Sequence, residues 1–212
     1  AGLVREYSVA QKKVTGPLGQ RPGLVILHVQ PVLEKIGALS SSASERWLAA
    51  ELDNARTAAY VREAIPRALL SGATENAVKA LLRGMGRRPT AVQEASLRAL
   101  AEAGTSLGPA DAKLLLSQLG GRTLKSEEAR TARRLELVVE VLKNSTDPET
   151  GSWLEGEAYQ AAAGKTDRLL VLVRLAKEKK IEGARAELVK LLSHRSGDLA
   201  GRAIEALAAI GP

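Results

Sequence analysis

The chain has 212 residues, with 31 Lys and Arg against 24 Asp and Glu, a formal net charge of +7 and 45% hydrophobic side chains. That balance belongs to a folded chain and excludes wholesale disorder. Cysteine is absent and histidine occurs twice, which excludes disulfides, thiolate metal sites and cysteine nucleophiles and leaves little room for a histidine metal site. Phe is also absent; 2 Trp and 3 Tyr make up the aromatic complement.

The first residue is Ala, which reads as a removed leader or as a segment of a longer chain. No signal peptide or membrane span is legible, because the longest apolar stretch, 24–33, is interrupted by His28, Gln30 and Pro31. The compartment stays open. Residues 1–23 hold Gly2, Gly16, Pro17, Gly19, Pro22 and Gly23, and four bases (Arg5, Lys12, Lys13, Arg21) against one acid, Glu6. They read as a basic N-terminal arm with a short strand or helix around 3–14. Residues 24–29 fit a strand or a buried helix start, which a run this short does not separate. Pro31 suits the first turn of a helix over 31–39.

From residue 42 the pattern is uniform. Ser42 with Glu45, Thr90 with Gln93 and Ser152 with Glu155 have the spacing of capping boxes, and Gly108–Pro109 and Asp147–Pro148 also suit helix starts. Gly72, Gly104, Gly120, Gly164 and Gly211 mark stops. Between them, apolar residues at three- and four-residue spacing predict helices near 42–54, 56–71, 75–84, 91–103, 109–119, 126–143, 152–163, 166–179, 182–193 and 198–210.

The series contains a repeat. Val61, Glu63, Ala64, Arg67, Ala68 and Leu69 recur 31 residues on as Val92, Glu94, Ala95, Arg98, Ala99 and Leu100. Residues 199–207 fit the same frame. The span from Leu100 to Leu207 accommodates three further repeats of roughly 36 residues, within the range of helical arrays. On each nine-residue copy, Val61, Ala64, Ile65, Ala68 and Leu69 share one helical face, and Arg62, Glu63 and Arg67 point away, as do Glu94 and Arg98.

Residues 76–104 and 184–211 each resemble a HEAT-type repeat of the bacterial HEAT-like and PBS-lyase-type family. Each is an Ala- and Leu-rich helix, a turn (Arg87 to Thr90; His194 to Asp198), then a second helix ending in Gly. Residues 42–72 fit this frame less closely, and 109–143 and 152–179 loosely. Pro66 falls inside an expected inner helix, and Gln93 stands where the family often has a base. The resemblance implies an all-α fold: a right-handed α-solenoid of about five HEAT-like helix pairs over 24–212. Thin layers between close helices suit Ala, Leu and Val, which makes the aromatic deficit intelligible.

No catalytic, cofactor or metal constellation emerges. His28 reads as a partly buried hydrogen-bonded residue and His194 as a turn residue. No Gly-x-Ser-x-Gly context exists, and Gly84 and Gly86 lack the strand of a phosphate loop. Glu127 and Glu128 suit the first turn of a helix. Glu155 and Glu157 make no acid pair without a cleft. Trp47 and Trp153 read as core or interface packing. The basic clusters Arg83/Arg87/Arg88, Arg130/Arg133/Arg134 and Arg174/Lys177/Lys179/Lys180 invite a nucleic-acid reading. Two of them sit at helix ends, however, and none has interleaved aromatics.

The pattern therefore predicts a non-enzymatic scaffold that presents a concave face to a protein or peptide. Arg62, Glu63, Arg67, Glu94, Arg98, Glu102 and Arg134 are the expected contact residues. The alternative is nucleic-acid binding, as in HEAT-like DNA glycosylases. Bilin-lyase-type activity, known for related repeats, has no supporting residue set. The Ala-rich last helix predicts an apolar C-terminal end suited to oligomer or larger assembly. Residues 24–110 carry ten bases against eight acids and 111–212 seventeen against fifteen, so both stretches are close to balanced and the short arm holds the largest single share of the excess charge.

Overall fold

The computed structural model describes residues 2–15, 22–72, 74–83, 85–119 and 128–211. These residues form α-helices and short 3-10 turns, and no strand occurs among them. They gather into two compact units, 1–103 and 104–212. Gly84, Gly120 and residues 121–127, where a turn, a helix stop and a helix start were expected, lie outside the described residues, as do arm residues 1 and 16–21. The Arg130 side chain is also outside them.

In the first unit, the short strand or helix expected around 3–14 is a helix. Residues 2–15 form α1 (Gly2–Thr15), and Tyr7, Ala10 and Val14 are buried along one stripe of it. Helix α1 packs on α2 (Pro22–His28) and α3 (Gln30–Ala38), and the ambiguous run is helical over 24–28 with Val29 as the turn between the two helices. The docking is polar as well as apolar. The Tyr7 hydroxyl donates to Glu51 Oε1 at 2.9 Å, and the same oxygen accepts from the Thr57 hydroxyl. Asn54 donates to Glu51 Oε2 at 3.3 Å, and the Tyr60 hydroxyl donates to the Val14 carbonyl at 3.0 Å. Burial and the Glu51 charge push the Tyr7 hydroxyl well above the usual tyrosine range, so it remains a donor. The Tyr7 ring meets Trp47 edge-on at 5.0 Å. The scarce aromatics Tyr7, Trp47 and Tyr60 thus serve to fasten α1.

Next come α4 (Ser42–Asp53), α5 (Ala59–Arg62), α6 (Ile65–Leu69), α7 (Glu75–Leu82) and α8 (Thr90–Glu102). Helix α3 packs on α6 and α6 on α8, while α4 packs on α6 and α7. Val61, Ile65, Leu69, Leu81 and Leu100 fill the interior. The expected single helix over 56–71 is two pieces. Pro66 lies in the first turn of α6, where its missing N–H has no intrahelical carbonyl to serve. The caps differ by a residue from the expected boxes. Ser41, with Ser44 answering, caps α4. Pro89 precedes α8 without a side-chain cap, and the Gln93 amide donates to the Arg88 carbonyl at 2.7 Å.

The second unit contains α9 (Pro109–Ser117), α10 (Glu128–Lys143), α11 (Pro148–Glu155), α12 (Glu157–Ala161), α13 (Thr166–Lys179), α14 (Arg185–Leu191) and α15 (Gly197–Ile210). Asp147, not Ser152, caps α11: its carboxylate accepts from the Thr150 N–H at 2.7 Å and hydroxyl at 2.8 Å. The expected helix 152–163 breaks at Gly156, whose φ of −150° and ψ of −60° are not helical. Helices α10, α13 and α15 form a row, each packed on the next, and α14 packs on α15. The α15 face turned inward is Leu199, Ala203 and Ala206, and the two alanines let α13 approach closely. Gly104, Gly164 and Gly211 end helices with φ of +60°, +72° and +84°, as their spacing predicts.

Candidate functional site

The expected contact residues do not share one environment. Glu63, Arg67, Arg98 and Glu102 are exposed and Glu94 is half-buried, all in the first unit. Arg134 is half-buried on α10 of the second unit. Arg62 is a correction: it is 8% exposed, and its Nε has no hydrogen-bond partner. The reason is local. Helix α5 is a single turn that stops before Pro66, so its phase is not that of one helix running to Leu69, and Arg62 joins Val61 on the inward side.

Glu63, Glu94 and Arg98 are brought together electrostatically. Partial desolvation beside α8 raises the carboxyl of the otherwise exposed Glu63 above the usual range, the Glu94 charge raises it further, and Arg98 opposes both. A raised carboxyl binds protons more tightly in the folded chain than in the unfolded one. Stability is therefore lost as pH rises from the unfolded value of 4.5 through the folded one, and the penalty persists above it. Glu63→Gln is expected to raise the melting temperature slightly at pH 7 and to leave it unchanged at pH 3. Thermal melts at the two pH values check this, and equal shifts at both would contradict it.

The basic clusters have structural occupations that periodicity did not reveal. Arg88 is buried: its Nε meets Asp53 at 2.8 Å, and its guanidinium donates to the carbonyls of Leu81, Ala80 and Arg83 at 2.6, 2.9 and 2.8 Å. It therefore caps α7. Lys179 Nζ donates to the carbonyls of Lys143 and Ser145 at 3.3 and 2.8 Å, capping α10, although burial lowers its affinity for the proton. Arg168 donates to the carbonyls of Leu119 and Ser117 at the end of α9, and Arg185 to that of Gly211 after α15. Each cation meets the negative end of a helix and satisfies carbonyls that have no intrahelical donor.

Arg133, Lys143, Arg174 and Lys177 form a ladder along α10, α13 and α15 that residue spacing did not reveal. Arg133 pairs with Glu136 at 3.0 Å, and Arg174 with Glu178 at 2.8 Å and Glu136 at 4.0 Å. Lys143 reaches Glu178 at 3.2 Å, and Lys177 reaches Glu205 at 2.8 Å. Burial pushes the Glu178 carboxyl up, but the hydrogen bonds and charges of Arg174 and Lys143 outweigh it and hold the carboxyl low. A cleft of about 290 Å³ beside Arg174, Lys177 and Arg202 lies between α13 and α15. The i,i+4 spacing of Arg174 and Glu178 was the available signal; the partners on other helices were not legible.

His28 is half-buried at the end of α2, and His194 Nδ1 accepts from the Ser196 N–H at 3.1 Å in a turn. Trp47 and Trp153 are half-buried, and Glu155 and Glu157 are exposed. Val189, Leu192 and Ile204 leave apolar surface exposed on α14, the residue after it and α15. Among the described residues no group of three or more His, Asp or Glu gathers as a metal site, and no helix is long and apolar enough to cross a membrane. Comparison with protein-family models, curated proteins and solved structures returns no match.

Proposed function

We propose that the chain is a non-enzymatic protein-binding scaffold of HEAT-like helical repeats, an α-solenoid whose stacked helices offer mixed-charge faces to a protein or peptide. One observation carries the reading: Arg88, Arg133, Arg174, Lys177 and Lys179 of the basic clusters are engaged as helix caps or ion pairs, and the charge left on the packed rows has both signs. A polyanion is held mainly by neutralising its phosphates, which calls for free cations of one sign. A polypeptide carries both signs and is read by complementary pairs. Arg67 and Arg98, exposed on the packed helices α6 and α8, make no ion pair among the described residues and are the contacts we assign first. Assembly with another subunit through the C-terminal end, expected of the Ala-rich last helix, is proposed beside it, and Val189, Leu192 and Ile204 are exposed apolar side chains on α14, the residue after it and α15.

Random-peptide display on the full chain tests the reading. Selected peptides are expected to bind the Arg67→Glu/Arg98→Glu variant at least about tenfold more weakly, with its helical circular dichroism unchanged. Equal binding by the variant removes these arginines from the site. Tight binding of short DNA or RNA duplexes, lost steeply with salt while no peptide is selected, establishes the nucleic-acid alternative instead.

A further inference from the structure

Where α1, α2 and α3 meet there is a cleft of about 250 Å³. Its floor is apolar and recessed, with Ala10 and Val32 only 7% and 4% exposed. Its walls carry Val9 and Leu27, 53% and 68% exposed, which is unusual for side chains of that size lying in one concavity. Next to Leu27 on α2, Ile26 is also exposed. The cleft holds about one large apolar side chain.

The rim is basic. Lys13 lines the cleft and makes no ion pair among the described residues, and Lys35 opposite it is shared with Glu6 at 3.2 Å. Arg5 and Lys12, exposed on the same helix, are likewise unpaired among the described residues. Lys12 and Lys13 suit the last turn of α1, but that role leaves their ammonium groups free to meet an external charge. The contrast with the second unit is direct: there Arg174, Lys177 and Lys143 each have a carboxylate partner.

We infer that this cleft docks an acidic helical peptide segment, which seats one apolar side chain between Val9 and Leu27 and sets carboxylates against Lys12 and Lys13. Charge complementarity selects the occupant: the unneutralised cations beside exposed apolar walls call for a ligand that supplies carboxylates and an apolar anchor together. A lipid bilayer shares the anionic and apolar chemistry but meets a protein on protruding apolar groups, whereas the floor at Ala10 and Val32 is recessed. The inference does not rest on the charged rows of the proposed function, because Arg67, Arg98 and Arg174 are not part of this cleft.

The test is fluorescence anisotropy on the full chain, with a labelled helical peptide bearing Leu at i and i+4 flanked by Glu. The same peptide with Lys for Glu is the control. The Glu peptide is expected to bind, to weaken as salt rises, and to bind at least about tenfold more weakly to Lys12→Glu/Lys13→Glu and to Leu27→Asp. All three substituted positions are exposed, so circular dichroism is expected to stay that of the parent. Equal binding of the Lys peptide, or binding indifferent to both variants, overturns the proposal. So does preferential binding to phosphatidylglycerol vesicles without peptide binding, or self-association in sedimentation that Leu27→Asp abolishes.

Discussion

Arg88→Ala is expected to destabilise the first unit by about 2–4 kcal/mol, the cost of leaving buried carbonyls without a donor together with the cavity. The Arg88 side chain is 2% exposed, and its donors reach Asp53 and three carbonyls at the end of α7. Truncation leaves the Leu81 carbonyl buried without its donor and opens a cavity where the guanidinium stood. Asp53 itself is 52% exposed and rehydrates when Arg88 is removed; Asp53→Asn keeps an oxygen that can accept from Arg88 Nε and is expected to cost less than Arg88→Ala. Arg88→Lys recovers little, because one ammonium cannot reproduce a planar fork that serves several acceptors. Urea unfolding followed by Trp47 fluorescence, in a Trp153→Phe background, reads the first unit alone. A midpoint for Arg88→Ala within error of the parent would mean that the carbonyls find water instead.

Gly37→Ala is expected to lower stability by about 2–3 kcal/mol, although alanine is the better helix former by about 1 kcal/mol. Gly37 is buried in α3, and a Cβ built there overlaps the Ala68 carbonyl oxygen of α6. It also comes within 2.7 Å of Ser71 Oγ and 2.9 Å of the Ala68 carbonyl carbon. Ser71 Oγ is itself tied to the Ala68 carbonyl at 2.9 Å, so the obstacle is backbone and a fixed hydroxyl, not a flexible chain end. Accommodation requires α3 to move off α6, and packing therefore outweighs propensity. The comparison is Gly201→Ala in α15, where nothing lies within 4 Å of the new Cβ; there propensity acts alone and stabilises by about 0.5–1 kcal/mol. The same unfolding measurement checks Gly37→Ala, and circular dichroism in urea checks Gly201→Ala. A gain in both would show that α3 and α6 separate without cost.

Much of the helical layout was legible because it is local. The 3.6-residue apolar period, Pro at first turns and Gly at left-handed stops act within a few residues, which is why α7, α8, α9, α13 and α15 fall within a residue or two of expectation. The same local reading failed where a neighbour intervened. Glycine and proline around 1–23 suggested an arm, but Tyr7, Ala10 and Val14 formed a stripe whose partner, Glu51, lies 44 residues away. The phase of Arg62 depended on how a one-turn helix breaks before Pro66, and residue spacing alone did not show that break.

Charge shows the division most clearly. Residue spacing and composition alone specify a predominantly helical chain, Ala- and Leu-rich and poor in aromatics, with a small positive excess. Which cations are free depends on how the helices pack. Arg88, Lys179, Arg168 and Arg185 end against carbonyls of other segments, and Arg174 and Lys177 against carboxylates, while Lys12 and Lys13 stay open to solvent beside an apolar cleft. Helix periodicity is set by bonds between near neighbours, but a charge is neutralised by whatever packing brings within a few ångströms, at any distance along the chain.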